Sequence, residues 1–262
     1  MTKYLGPKET EVISRLSYEK TTIITRKQFD RLFGQSVLTR QIIYQLRKKG
    51  ILKPITKGIY YYSPLEAGPA GSHINEFLIP PVLFLSGNYY VGYSTMYNYY
   101  RFTNQIFQTF YILNTSLQRE RIICGIPFKL LKISPKRMYG IEKVKIRESE
   151  ITISDRERTL VDLIYFSDPV GGLKKALEIL RLQVTSNKVD VKKLIKYTIL
   201  FPCMAVRKRI GFALEQCRVN DSLLAPLIKC VRNASLTTLY SSKSRKGTIN
   251  NKWKVILNDS QQ

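Results

Sequence analysis

The chain contains a single histidine and only four cysteines, and these scarcities narrow its chemistry. His73 lies among Gly68, Pro69, Gly71 and Ser72 and reads as a solvated loop side chain rather than a general base. Cys124, Cys203, Cys217 and Cys230 are far apart, include no CxxC pair, and lack the ligand spacing of a structural zinc. They read as reduced core thiols, and neither a metal nor a cofactor is expected. No stretch approaches the roughly 20 apolar residues of a membrane span. The N-terminus is polar and charged through Lys8, without an apolar signal region, so a cytoplasmic, soluble protein with no membrane partner is expected. Gly171 and Gly172 are not followed by the Lys-Ser/Thr of a phosphate loop, and no small-molecule ligand is evident. Acidic residues are the remaining scarcity, 19 against 43 basic, for a net charge of +24. An excess of this size repels itself unless a polyanion or counterions screen it, and nucleic acid is the obvious partner.

A chain of 262 residues that is 44% hydrophobic can bury more than one core, and two domains are expected. The Pro- and Gly-rich SPLEAGPAGSH interrupts the pattern, which sets an N-terminal domain at 1–62, a linker at 63–75 and a second domain at 76–262. Residues 1–62 carry a net +9 and the remainder +15, so both halves are basic.

The first 62 residues predict three short helices and a hairpin. Val12, Ile13 and Leu16 share a face of a helix that begins near Pro7. Thr25 and Gln28 have the spacing of a capping box, with Phe29, Leu32 and Phe33 following at helical intervals until Gly34. Ser36 can cap a third helix that runs to Lys49 and is closed by Gly50. ILKPI, a turn at Thr56, Lys57 and Gly58, and IYYY then predict a hairpin, with Tyr60 and Tyr62 facing the core. This order is that of a winged helix-turn-helix. The expected fold is therefore α+β: an N-terminal winged helix-turn-helix and a larger mixed domain in which strands precede helices.

Leu38, Ile42 and Leu46 occupy one sector of the third helix and are assigned to its buried side. Ser36, Val37, Arg40, Tyr44, Arg47 and Lys48 project on the other side, and Ser36 to Tyr62 holds six basic residues and no acidic one. Arg40 is the first choice for a bidentate guanine contact, with Ser36 or Thr39 bonding a base or phosphate. Tyr44 shares this outward face, Arg47, Lys48 and Lys49 suit phosphates, and Lys53 and Lys57 flank the wing turn. In the second half, Arg207, Lys208 and Arg209 are consecutive on a predicted helix, so at least one is expected to face outward, either as an accessory nucleic-acid or partner contact or as a solvated face.

Two regions carry a more specific resemblance. LTRQIIYQLRKKGILKPITKGIYYY is similar to the winged helix of AbiEi-type antitoxins. YYVGYSTMYNYYRFTNQIFQTFYI, ITISDRERTLVDLIYF, VDVKKLIKYTI, RKRIGFALE and NNKWKVILN follow in the order of that family's C-terminal domain. The resemblance implies the antitoxin of a type IV toxin–antitoxin system in abortive infection, a phage defence. It further implies a transcriptional repressor that binds inverted repeats in its own promoter as double-stranded DNA. The functional partner it implies is a nucleotidyltransferase-like toxin, opposed without a stable complex. The implied DNA-binding positions are Arg40, Tyr44, Arg47, Lys48 and the wing lysines, and no catalytic residue is implied.

SDRERTLVD supplies the carboxylates for another reading, a nuclease-like nucleic-acid-processing enzyme targeted by the winged helix. Ser154 and Glu157, however, have capping-box spacing, Asp155 suits a helix dipole, and Asp190 suits the cap of the helix it precedes. The isolated pair Asp190 and Lys192 lacks the convergent carboxylates of a metal-dependent nuclease, and the chain is expected not to be an enzyme. A basic RNA-binding adaptor is the third reading.

Overall fold

The computed structural model describes residues 4–35, 37–68, 72–146, 149–240 and 244–258. The fold is mixed α+β. It divides into two compact units, Met1–Leu85 with Arg121–Pro127, and Ser86–Glu120 with Phe128–Gln262.

The first unit runs α1 (Pro7–Tyr18), β1 (Ile23–Thr25), α2 (Arg26–Phe33), α3 (Val37–Lys48), β2 (Leu52–Thr56), β3 (Ile59–Tyr62) and the short α4 (Pro80–Leu83). Val12, Ile13 and Leu16 form the buried face of α1 as their spacing requires. Thr25 and Gln28 close the expected capping box, with Thr25 N donating to Gln28 Oε1 at 2.8 Å and Gln28 N to Thr25 Oγ1 at 3.2 Å. Gly34 ends α2 at φ 82°, in the left-handed region that a side chain resists.

The hairpin of β2 and β3 is joined by β1 in an antiparallel sheet of order β1-β3-β2. Pro54 is tolerated in β2 because that strand lies at the edge, where a missing N–H breaks no central ladder. Tyr60 and Tyr62 enter the core with Phe29 and Leu46, as alternation predicted. The hydroxyl of Tyr62 lies 2.7 Å from Ser17 Oγ, so its polar end is satisfied.

Of the expected linker, residues 69–71 lie outside the described residues, and Ser63 and Ser72 on either side of them are joined within this unit. Ser72 N donates to Ser63 Oγ at 2.9 Å, and Tyr61 OH lies 2.5 Å from Ser72 Oγ. Ile74, Leu78, Ile79 and Phe84 are buried beyond it. The division between the units after Leu85 therefore comes later than the expected 63–75. Arg121–Pro127 also belongs to the first unit, where Arg121 Nη2 donates to the Ile55 carbonyl at 3.0 Å.

In the second half of the chain, β4 (Tyr89–Val91), α5 (Ser94–Tyr99), β5 (Phe110–Asn114), β6 (Arg119–Ile123), β7 (Ile126–Lys132), β8 (Ile141–Ile146) and β9 (Ser149–Ser154) precede the main helices. The strands form a six-stranded mixed sheet of order β6-β7-β5-β4-β9-β8, with β5–β7 and β4–β9 parallel. The helices are α6 (Arg156–Tyr165), α7 (Leu173–Thr185), α8 (Val191–Leu200), α9 (Met204–Gln216) and α10 (Asp221–Val231). β10 (Thr237–Thr238), β11 (Thr248–Asn250) and β12 (Val255–Leu257) make a small third sheet.

Trp253 lies just before β12 and is fully buried. Its ring reaches Gly211 in the middle of α9, where a Cβ would come within 2.1 Å of Cζ3. Glycine costs the helix backbone entropy, but only glycine leaves room for the indole. The indole N–H donates to Glu215 Oε2 at 2.8 Å.

The four cysteines are half-buried and unpaired. Among the described residues, no helix is long and apolar enough to cross a membrane, and no group of three or more His, Cys, Asp or Glu could hold a metal ion.

Candidate nucleic-acid interface

Helix α3 is held from inside by Thr39, Ile42, Ile43 and Leu46. Burying each large aliphatic here is worth about 1.5–3 kcal/mol. The expectation that Leu38 packs inside and Thr39 reaches a nucleic acid is corrected on both counts. Leu38 is 49% exposed, whereas Thr39 is 1% exposed and donates through Oγ1 to the Gly34 carbonyl at 2.7 Å. That bond satisfies a carbonyl where the chain leaves α2, which explains a polar residue on the buried face. Ile43, adjacent to Ile42, was the sequence signal for this phase, because the pair centres the apolar face nearer Thr39 than Leu38.

With this phase, Val37, Gln41, Tyr44 and Lys48 line the outward centre of α3 at i, i+4, i+7 and i+11. Leu38 and Gln45 flank one side, and Arg40 and Arg47 the other. An open groove of about 540 Å³ runs along Val37, Leu38, Arg40, Gln41, Tyr44 and Gln45. Gln41, at the centre of the face, was not selected from the sequence; its i+4 relation to Val37 becomes informative only once the phase is correct.

The sequence candidates divide clearly. Arg40, Tyr44, Arg47 and Lys48 are exposed, and among the described residues none forms an ion pair. The Arg47 guanidinium lies 5.9 Å from the Tyr60 ring centroid, which orients it towards the hairpin. Lys57 is exposed at the turn, while Lys53 is half-buried with Nζ 3.5 Å from the Ser72 carbonyl. Ser36 lies outside the described residues.

Lys49 is corrected from a phosphate contact to a structural clamp, with Nζ 2.5 Å from Glu9 Oε2 and 2.8 Å from the Tyr4 carbonyl. Burial pushes the Glu9 carboxyl up, but the hydrogen bonds from Lys49 and the Gly6 amide, with the Lys49 charge, outweigh it and hold Glu9 below the ordinary carboxylate value. Glu9, which lines the α3 groove, is the only carboxylate there among the described residues, and it is thus committed to a cation.

The run Arg207, Lys208 and Arg209 is turned inward rather than outward. Arg207 Nε donates to the Phe201 carbonyl at 2.9 Å, and Arg209 Nη2 to the Thr238 carbonyl at 3.3 Å. Lys208 is 1% exposed and donates to the Ser235 carbonyl and, at 2.9 Å, to Thr237 Oγ1. Burial lowers the pKa values of Lys208 and Arg209. These side chains tie α9 to the segment around β10 instead of facing outward, which corrects the expectation of an outward contact there.

The carboxylates of SDRERTLVD are likewise committed. Asp155, not Ser154, caps α6, accepting from Arg158 N at 2.8 Å, and Ser154 is the last residue of β9. Glu157 Oε2 lies 3.2 Å from Lys193 Nζ, and Oε1 accepts from Asp190 N at 3.0 Å. Asp190 caps α8 as expected, accepting from Lys193 N at 3.0 Å.

Asp162 forms a buried bidentate pair with Arg158, through Nε and Nη2 at 3.1 Å each, and Arg158 Nη2 also donates to Tyr90 OH at 3.0 Å. The guanidiniums of Arg158 and Arg137 lie 5.2 and 4.9 Å from the Phe201 ring centroid. Burial and the Asp162 charge push the Tyr93 hydroxyl up to about 12. These contacts account for the acidic motif structurally: each carboxylate already has a cation or an amide.

No family profile matches the chain, and no curated protein matches it. Its fold is similar to the crystal structure of the RV2827C protein from Mycobacterium tuberculosis, with a TM-score of 0.68 over 97% of this chain and 92% of that one. At 12% identity, the likeness is one of fold alone.

Proposed function

We propose that the chain is a DNA-binding transcriptional autorepressor and the antitoxin of an AbiEi-type toxin–antitoxin system, and not an enzyme. In this reading the first unit is a winged helix-turn-helix. The order α1, β1, α2, α3, β2, β3 and the tight turn at Lys57 and Gly58 support it. The observation that carries the DNA part is the outward face of α3. Arg40, Tyr44, Arg47 and Lys48 are exposed there, and among the described residues no carboxylate pairs with them. In a major groove, the N-terminal part of such a helix meets base edges while Arg47 and Lys48, nearer its C-terminus, meet phosphates.

The antitoxin part rests on the ordered sequence resemblance in the second half, with a nucleotidyltransferase-like toxin as functional partner. In a cytoplasmic setting the operator would be inverted repeats in the chain's own promoter.

Fluorescence anisotropy of the full chain with duplex DNA from upstream of its own reading frame tests the first part. Saturable binding that outcompetes an unrelated duplex is expected, and binding no tighter than to the unrelated duplex would overturn it. Co-expression tests the second part: a neighbouring nucleotidyltransferase-like frame should arrest growth alone and not beside this chain.

A further inference from the structure

The outward centre of α3 is not purely basic. Val37 is 66% exposed at that centre and Leu38 49% exposed on its flank, both in the first turn, with Gln41 one turn beyond Val37. Apolar side chains in water gain nothing where they stand, and these lie along the groove that also holds Arg40 and Tyr44. If the occupant is duplex DNA, its major groove offers an aliphatic side chain one apolar group, the C5 methyl of thymine. The side chain at i+4 from Val37 is a primary amide, whose paired donor and acceptor match adenine N7 and N6 in a bidentate contact. One stripe of α3 therefore presents complements to both members of an A·T pair.

We infer that Val37, Leu38 and Gln41 are specificity-determining residues that read A·T base pairs, with Val37 and Leu38 against thymine methyls and Gln41 against adenine. The inference rests on the DNA-binding reading above and adds the bases read. Arg40, on the flank of the stripe, remains the guanine contact, which places a G·C pair beside the A·T pairs. The neighbouring cations suit the groove to a polyanion: Arg40 and Arg47 lie on one flank of the stripe and Lys48 at its C-terminal end, and Glu9 is paired with Lys49.

The test begins with a duplex selected by the full chain from a randomised pool. Each thymine of the selected site is then replaced singly by deoxyuridine, which removes the methyl and leaves base pairing intact. At one or two positions, affinity should fall about 4-fold, the value of one buried methyl. Val37→Ala or Leu38→Ala should abolish that penalty, and Gln41→Ala should weaken the unmodified site about 5- to 150-fold and relax the preference for adenine at one position. All three side chains are outside the core, and unchanged thermal unfolding of the variants confirms that binding alone is read.

A selected site that tolerates deoxyuridine everywhere and is bound equally by Gln41→Ala would overturn this inference while leaving DNA binding standing. Failure to retain any duplex over the random pool would overturn the DNA-binding reading itself.

Discussion

Two basic clusters handle positive charge in opposite ways, the face of α3 with its hairpin turn in the first unit and the inward cations of the second. In the first, Arg40, Arg47, Lys48 and Lys57 stand in solvent on α3 and the hairpin turn. In the second, conspicuous cations turn inward: Arg158 is fully buried against Asp162, Lys208 donates to Ser235 and Thr237, and Lys193 joins Asp155 and Glu157. Net charge alone is therefore a poor guide to a binding face. The larger excess lies in the half whose consecutive Arg-Lys-Arg holds helices and strands together.

The sharpest way to break this comparison is to remove an acceptor from the second unit. Asp162→Ala leaves Arg158 buried and uncompensated, and should cost about 3–5 kcal/mol in chemical denaturation. A loss below about 1 kcal/mol would mean that the inward cations are not held by pairing. Gly211→Ala tests packing in the same unit without touching charge. The added methyl meets the Trp253 ring, and a loss of about 1–3 kcal/mol is expected, with altered tryptophan fluorescence.

In the first unit the effects should fall on binding and spare stability. Arg40→Ala should weaken the cognate duplex by about 1–3 kcal/mol and relax specificity at one position. Lys48→Ala should weaken all duplexes alike and reduce the slope of log affinity against log salt by about 1. Lys208→Ala, in the second unit, should instead lower the unfolding midpoint and leave the salt slope unchanged. Equal salt slopes for Lys48→Ala and the unaltered chain would remove the contrast.

The smallest expected effect concerns the clamp between α1 and α3. Because Glu9 is held below its ordinary value of 4.5, its contribution to stability is present above that pH and is lost as pH falls through the depressed value. Glu9→Gln should therefore lower the thermal midpoint at neutral pH and approach the unaltered chain in more acid solution. A difference that persists unchanged at acid pH would assign the effect to packing rather than to charge.

The features legible in the sequence are those decided within one or two turns of chain. The cap at Thr25 and Gln28, the stop at Gly34 and the turn at Lys57 and Gly58 each depend on neighbours a few residues away. β1 was not legible: Ile23–Thr25 is a strand only because β3 pairs with it. The phase of α3 failed for a related reason. Hydrophobicity favours Leu38 inside, but the Gly34 carbonyl gives Thr39 a buried partner that periodicity does not see. The inward turn of Lys208 depends on Ser235 and Thr237, 27 and 29 residues away, and no local pattern encodes it. The candidate face was thus readable in its location and in Arg40, Tyr44, Arg47 and Lys48, but not in Gln41 or in the loss of Thr39 and Lys49.

The inclusion of Arg121–Pro127 in the first unit bears on biosynthesis. Ile55 receives the guanidinium of Arg121 only after the chain has grown well past Leu85. At about 5–20 residues per second, the intervening stretch of roughly 40 residues takes about 2–8 s to synthesise. During that interval the nascent first unit carries its basic helix without its last piece, and a gene fragment ending at Leu85 would fix it permanently in that unfinished form.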